Sequence, residues 1–269
     1  MDKQKLDIVF LGEDTFSNVI LQSLISAGHH VKLVVTPWYD NLVYKKLEYT
    51  CTKNNIQFSR NKKINSEETI QQIKDARPDI GVIAHFERLI KQPIIEIPRM
   101  GFINLHPSLL PDYRGMAPQH WPIINREKET GITVHYVDET ADTGNIILQR
   151  QIPLTEEMYV SDLQRIWQKE YQTIMVEAIE CILSHRPTKE QKYLEGRYYG
   201  KLKLEQCFLS PDMHVADAFS LIRGVSLPYF GARYNDLIIY RAHIKQPNEE
   251  TSAPIIHFKD GDIVVDMYK

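Results

Sequence analysis

Leu6-Asp7-Ile8-Val9-Phe10-Leu11-Gly12-Glu13-Asp14-Thr15-Phe16 carries the reading on which the fold class turns. Leu6 to Leu11 is an apolar run broken only by Asp7, as expected of a buried strand. Asp14-Thr15 then offers N-cap chemistry for a helix over Phe16 to Ser26, where Phe16, Val19, Ile20 and Leu24 recur at helical spacing. Gly28 suits the C-terminal cap, and His30 to Thr36 reads as a second strand. The unit is βαβ, which implies a parallel sheet of Rossmann-like topology. A dinucleotide site would place G-x-G-x-x-G after the first strand. Here Gly12 is followed by Glu13 and Asp14, two carboxylates that repel a pyrophosphate, which argues against NAD.

Outward from that unit, Asn41 to Asn54 reads as a helix, Ile56 to Phe58 as a short strand, Ser66 to Ala76 as a helix and Ile80 to Ala84 as a buried strand. His85 to Ile90 follows as a strand-end loop, and Gly101 to Leu105 as the next strand. Ala117 to Asn125 is expected to be helical, and Gly131 to Val137 and Asn145 to Ile152 are expected strands. Tyr159 to Ser184 reads as one long amphipathic helix. His185 to Gln191 is polar and broken by Pro187, a linker composition. Beyond it, Met213 to Val225 reads as a helix, and Leu237 to Ile244 and Ile263 to Met267 as strands joined through a polar loop. The expected architecture is α/β: a Rossmann-like, mostly parallel sheet with flanking helices over residues 1–187, and a small C-terminal α+β or hairpin-bearing domain over residues 188–269.

Composition narrows the function classes. A formal net charge of -3 over 269 residues gives no electrostatic reason for tight nucleic-acid binding. No apolar run approaches the roughly 20 residues that span a bilayer, and Met1 to Leu6 shows no signal-peptide pattern. Cys51, Cys181 and Cys207 are odd in number and far apart, which favours free thiols over a disulfide framework or a zinc site. A cytoplasmic protein without a metal is the expectation.

The densest chemistry lies in Gly101-Phe102-Ile103-Asn104-Leu105-His106-Pro107-Ser108-Leu109-Leu110-Pro111 and, further on, Asp138-Glu139-Thr140-Ala141-Asp142-Thr143-Gly144. Asn104 and His106 are two apart on a strand and point the same way, at its carboxyl end, where open α/β sheets bind ligands. Together with Tyr113-Arg114-Gly115 and Glu129-Thr130-Gly131-Ile132-Thr133-Val134, these stretches resemble the folate-dependent formyltransferases. That family includes methionyl-tRNA formyltransferase, glycinamide ribonucleotide transformylase and the N-formyltransferases of nucleotide-linked amino sugars. The likeness runs over residues 6 to 185, with a weaker echo in Leu221-Ile222-Arg223 and Pro228-Tyr229-Phe230-Gly231-Ala232.

The resemblance implies 10-formyltetrahydrofolate as co-substrate and Asn104, His106 and Asp142 as the catalytic residues. Formyl transfer to an amine needs a base, a donor to the oxyanion and a group that keeps the base poised. His106 has a side chain that titrates near neutrality, Asn104 donates without charge, and Asp142 orients His106 or passes protons to the departing nitrogen. The resemblance also implies cofactor contacts from Phe86, Arg88, Leu89 and Ile90 and from Asp138, Glu139 and Thr140; loop packing and solvated charge are the plainer readings of the same residues. Arg114 with Gly115 is either an ion pair and loop anchor or a substrate-phosphate contact. Trp38, Tyr39, Tyr198, Tyr199 and Tyr229 are substrate-side candidates with core packing as their alternative. His85, His120 and His135 weigh as structural residues.

Residues 190 to 269 carry ten Lys and Arg against eleven Asp and Glu, little to draw a phosphate backbone. This near-neutral appendage most resembles the sugar branch: an N-formyltransferase acting on a nucleotide-linked amino-dideoxyhexose such as dTDP-4-amino-4,6-dideoxyglucose, with the 3-amino isomer and a GDP carrier left open. O-antigen or other surface-polysaccharide synthesis and a homodimer go with that resemblance. Methionyl-tRNA formyltransferase is the alternative, and a non-catalytic folate or nucleotide-sugar binding module the alternative from another class.

Overall fold

The computed structural model describes residues 4–192 and 198–269; residues 1–3 and 193–197, which fall in the expected first and second domains, lie outside them. Two compact units share the chain. The first comprises Met1–Pro111, Ile132–Arg150 and Trp167–Gly196, and the second Asp112–Gly131, Gln151–Ile166 and Arg197–Lys269. Both are discontinuous in sequence, so compactness does not follow a single break at 187/188.

The chain begins β1 (Asp7–Gly12), α1 (Thr15–Ser26), β2 (His30–Pro37), α2 (Lys45–Lys53), β3 (Gln57–Asn61), α3 (Glu67–Ala76), β4 (Ile80–Ala84), α4 (Gln92–Ile95) and β5 (Phe102–His106). It continues through β6 (Arg114–Gly115), α5 (Trp121–Ile124), β7 (Glu129–Tyr136), β8 (Ile146–Pro153), α6 (Val160–Glu170) and α7 (Ile174–Leu183). It closes with β9 (Tyr198–Tyr199), a short 3-10 turn, α8 (Val215–Val225), β10 (Ala232–Tyr234), β11 (Leu237–Ile244), β12 (Ile255–Phe258) and β13 (Gly261–Tyr268).

Seven strands form the main sheet in the order β3-β2-β1-β4-β5-β7-β8. The β1–β2, β2–β3, β1–β4 and β4–β5 pairs are parallel and β5–β7 is antiparallel. This is the mostly parallel sheet with flanking helices that the βαβ pattern implies. β4 is buried at every position, which is why Ile80-Gly81-Val82-Ile83-Ala84 reads as an uninterrupted apolar run. Asp14 caps α1: its Oδ1 accepts from Ser17 N at 2.8 Å, and the Ser17 hydroxyl accepts from Asp14 N at 2.9 Å.

Four local expectations are corrected. The helix expected from Asn41 begins only at Lys45, because the Asn41 side chain accepts from Val43 N at 3.2 Å and closes a turn. The helix expected over Ala117 to Asn125 shrinks to Trp121–Ile124, with Ala117 in the left-handed region at φ 62°. The long helix expected from Tyr159 is two, α6 and α7. At the break, Gln172 N and Thr173 N bond three residues back, and Arg150 donates to the Glu170 carbonyl at 3.4 Å and to Thr173 Oγ1 at 2.9 Å. The segment His185 to Gln191 is not a bare linker: Lys189 bridges Ile146 through bonds of 2.8 and 2.9 Å.

In the second unit, β10-β11-β13-β12 form a four-stranded antiparallel sheet, so the two strands expected there have two shorter companions. Leu221, Ile222 and Val225 of α8 share one core with Ile239, Ile263 and Val265 of the sheet. Tyr159 ties that core to the β11 backbone, donating to Ala242 O at 2.8 Å and accepting from Ala242 N at 3.2 Å. Among the described residues, no helix is long and apolar enough to cross a membrane.

Candidate active site

β5 carries Asn104 and His106 on one face to its carboxyl end, where Pro107, lacking an N–H, stops the strand. The turn that follows is fastened by one hydroxyl. Thr133 Oγ1 donates to Ser108 O at 2.7 Å and accepts from Leu110 N at 3.1 Å and Gln149 Nε2 at 2.9 Å, which uses its full hydrogen-bonding capacity. The antiparallel β5–β7 register sets Asn104 opposite His135 and His106 opposite Thr133.

Asp142 enters from the loop after β7 with a left-handed backbone, φ 58°. Its Oδ1 stands 3.5 Å from His106 Nδ1, 3.4 Å from Asn104 Nδ2 and 3.7 Å from His135 Nε2. The structure therefore brings Asn104, His106 and Asp142 together. His106 is 4% exposed, so these contacts act in a low-dielectric setting where electrostatics are stronger than in water. Two features hold the loop. A Cβ on Gly144 would lie 1.8 Å from Tyr136 O, so only glycine fits there. The Gln191 amide donates to Asp142 O at 3.1 Å and to Gly144 O at 2.7 Å.

His135 and Gln191 are the participants that reading the chain misses. His135 belongs to the cluster instead of serving only as a strand residue. Its Nδ1–H donates to Tyr136 O at 2.8 Å, which leaves Nε2 to accept from Asn104 Nδ2 at 3.1 Å. Thr133 and His135 share a face of β7, the one signal in the sequence that could have found it. His85 pairs with Asp14 at 3.4 Å. Burial pushes His120 down to about 4 against a hydrogen bond to Gly224 O, so it stays neutral.

The expected cofactor residues fall on two loops of the first unit. Leu89 is 70% exposed, whereas Ile90 is buried in the core that Phe86 packs against, so the Ile90 side chain is committed to packing. Asn65 clamps this loop, donating to Leu89 O at 2.9 Å and accepting from Lys91 N at 2.7 Å. Arg88 lies 5.6 Å from the centre of the Tyr39 ring. Glu139 and Thr140 are exposed, and the Asp138 carboxylate turns into its own loop, accepting from Thr140 N at 3.0 Å and Thr143 Oγ1 at 2.6 Å. A depression of about 430 Å³ lined by Tyr136, Asp138, Thr143, Gly144, Asn145 and Gln191, among others, flanks this loop without including Asn104, His106 or Asp142.

Of the substrate-side candidates, Trp38 and Tyr39 lie in the first unit, where the Arg60 guanidinium stands 4.2 Å from the Trp38 ring and donates to Tyr39 O at 2.7 Å. Within the second unit, Arg114 and Gly115 pair in parallel with Tyr198 and Tyr199. Gly115 has φ 94°, and a Cβ there would meet Tyr199 O at 2.5 Å. Tyr199 stacks on Tyr113 at 4.8 Å and accepts from Asn125 Nδ2 at 2.9 Å. Tyr229 instead packs edge-on against His120 at 4.3 Å and bonds Gln164 at 2.5 Å.

Comparison with known proteins matches the formyl transferase family across residues 6–179. The methionyl-tRNA formyltransferase of Clostridioides difficile (strain 630) is 31% identical over 272 residues, covering 98% of this chain and 86% of that protein. Among solved structures, WlaRD, a sugar 3N-formyl transferase determined in the presence of dTDP and 5-N-formyl-THF, superposes with a TM-score of 0.76 at 22% identity over 98% of each chain. The N-formyltransferase from Helicobacter canadensis, determined with folinic acid and dTDP-3-aminofucose, gives 0.73 at 19% identity over 98% of this chain and 100% of that one. With the family matched over most of its length, the chain belongs to the formyl transferase family and is a formyl-transfer enzyme.

Proposed function

We propose that this enzyme moves the formyl group of 10-formyltetrahydrofolate to the amino group of a nucleotide-linked amino-dideoxyhexose. The observation that carries the chemistry is the approach of His106 Nδ1 and Asn104 Nδ2 to one oxygen of Asp142. Asp142 holds the Nδ1 proton of His106, so the lone pair that takes a proton from the attacking amine is on Nε2. Asn104 directs N–H bonds to His135 and, at the longer 3.4 Å, to Asp142; the longer one is the donor that turns to the oxyanion as the amine nitrogen bonds the formyl carbon. His106 then returns its proton to the folate nitrogen as that carbon–nitrogen bond breaks. Tetrahydrofolate and the N-formyl sugar leave. The co-substrate supplies the formyl carbon, and the residues suited to it are exposed Leu89, cationic Arg88 and the backbone of Asp138 to Thr140, an apolar face beside a charge of the right sign for a carboxylate tail.

The sugar assignment is supported by end-to-end likeness to two sugar N-formyltransferases and by the near-neutral balance of residues 190 to 269. In this reading residues 1–187 carry the chemistry and 188–269 form a small C-terminal domain, Gln191 excepted as a support of Asp142. The dTDP-4-amino-4,6-dideoxyglucose assignment, a role in surface-polysaccharide synthesis and a homodimer belong to the same proposal. The 31% identity to a methionyl-tRNA formyltransferase favours the tRNA substrate as second reading. Incubation with 10-formyltetrahydrofolate and a panel of dTDP- and GDP-linked 3-amino and 4-amino sugars tests the choice. Turnover of a sugar is expected. Turnover confined to charged initiator tRNA overturns the sugar assignment, and folate binding without any turnover overturns catalysis altogether.

A further inference from the structure

The turn after β1 has no part in the chemistry just described, yet it stands where the sheet reverses its strand order. β1 and β4 are neighbours, with Gly12 aligned to Ala84, and the chain leaves β1 toward β2 on one side and β4 toward β5 on the other. Open α/β sheets receive ligands at such a crevice. The two carboxylates there both reach the loop after β4. Asp14 Oδ2 stands 3.4 Å from His85 Nδ1. Burial pushes the Asp14 carboxyl up, but His85 and Ser17 outweigh it and hold the group below the usual range. His85 in turn bonds the Tyr171 hydroxyl at 3.0 Å and stacks on Phe16 at 5.1 Å.

Glu13 is the less expected of the pair, being only 7% exposed. Its Oε1 accepts from the Glu87 N–H, and its carboxylate faces the Tyr39 hydroxyl, which favours the charged form. Burial raises its pKa in spite of both neighbours. A carboxylate is costly to bury unless its partners need it, and here they sit in two separate loops. One loop carries Tyr39; the other carries Phe86, Arg88 and Leu89, and Arg88 lies over the Tyr39 ring.

We propose that Glu13 is a positioning residue for the folate co-substrate: its carboxylate ties the loop of residues 85–90 to Tyr39 and so fixes the wall against which the pterin binds. The inference rests on the formyl-transfer reading above. Glu13 touches no reacting atom, so its removal acts on binding and not on the chemical step.

Binding of folinic acid by calorimetry and turnover with 10-formyltetrahydrofolate test this in three variants. Glu13→Ala is expected to weaken folinic acid binding and raise KM about tenfold, with kcat within about twofold of wild type. Glu13→Gln keeps an acceptor for the Glu87 N–H and is expected to recover most of that loss. Tyr39→Phe removes the hydroxyl that faces the carboxylate and is expected to weaken binding about threefold, with no further loss when combined with Glu13→Ala. Unchanged folinic acid binding in Glu13→Ala, or kcat falling as far as binding in Glu13→Gln, overturns the inference. If Glu13→Ala does not fold, unchanged binding in Tyr39→Phe overturns it. Failure of the wild-type protein to bind folinic acid is a failure of the proposed function, whereas binding by wild type and variants alike sinks only the role of Glu13.

Discussion

The two compact units bury histidine differently. In the first, His106 and His135 are buried on adjacent strands and turned toward one carboxylate and one amide. In the second, His214, His243 and His257 stand at the surface, each beside an aspartate at 2.8 to 3.0 Å, while the core is built from residues such as Ile239, Ile263 and Val265. The buried histidine there, His120, meets a backbone carbonyl and stays neutral. Polar groups cost free energy to bury. The first unit bears that cost for two histidines on adjacent strands, whereas the second buries His120 singly and leaves its other three histidines at the surface.

The sharpest break in this comparison comes from His106→Asn. It should lower kcat by about 10²–10⁴ while leaving the melting temperature close to wild type, as measured by single-turnover kinetics and calorimetry. Near-normal turnover would remove His106 as the base. Ile263→Ala, in the core of the second unit, should do the reverse: a loss of about 2–5 kcal/mol in denaturant unfolding with Asn104, His106 and Asp142 untouched. The smallest effect belongs to the surface histidines. Hydrogen bonds to Asp266 and then Glu249 raise the His243 pKa above its ordinary 6.5. A raised histidine contributes stability that is fully present below its unfolded pKa and lost as pH rises through the folded value. The melting temperature of wild type should therefore exceed that of His243→Gln at pH 6, and the gap should close above neutrality. Solvent and salt screen the pair, so the gap is shallow, and its growth at high pH would reverse the assignment.

These contrasts were unequally visible before the fold was known. β4 is legible to the residue, because five consecutive apolar positions between Asp79 and His85 leave no other length for a buried strand. Asn104, His106 and Asp142 are also legible, the first two sharing a face by strand alternation and all three through the resemblance to the formyltransferases. His135 was not, because its importance is a matter of cross-strand register, and register is settled by pairs far apart in sequence. The α6–α7 break escaped for a related reason: the apolar stripe runs on through Tyr171, and the agent of the break, Arg150, comes from another element. β10 and β12 are three and four residues long, too short for a period to show.

The Gln191 amide has a practical consequence for anyone recombining this chain with its relatives. The composition shift at 185–191 invites a cut after Pro187, where the sequence turns polar. A piece ending there keeps Asn104, His106 and Asp142 but removes the donor to the Asp142 and Gly144 carbonyls, on a loop whose glycine already leaves no slack against Tyr136. The seam that respects the Asp142 loop lies after Gln191. An exchange of the C-terminal residues should begin at Lys192, so that the new partner inherits a loop still laced from behind.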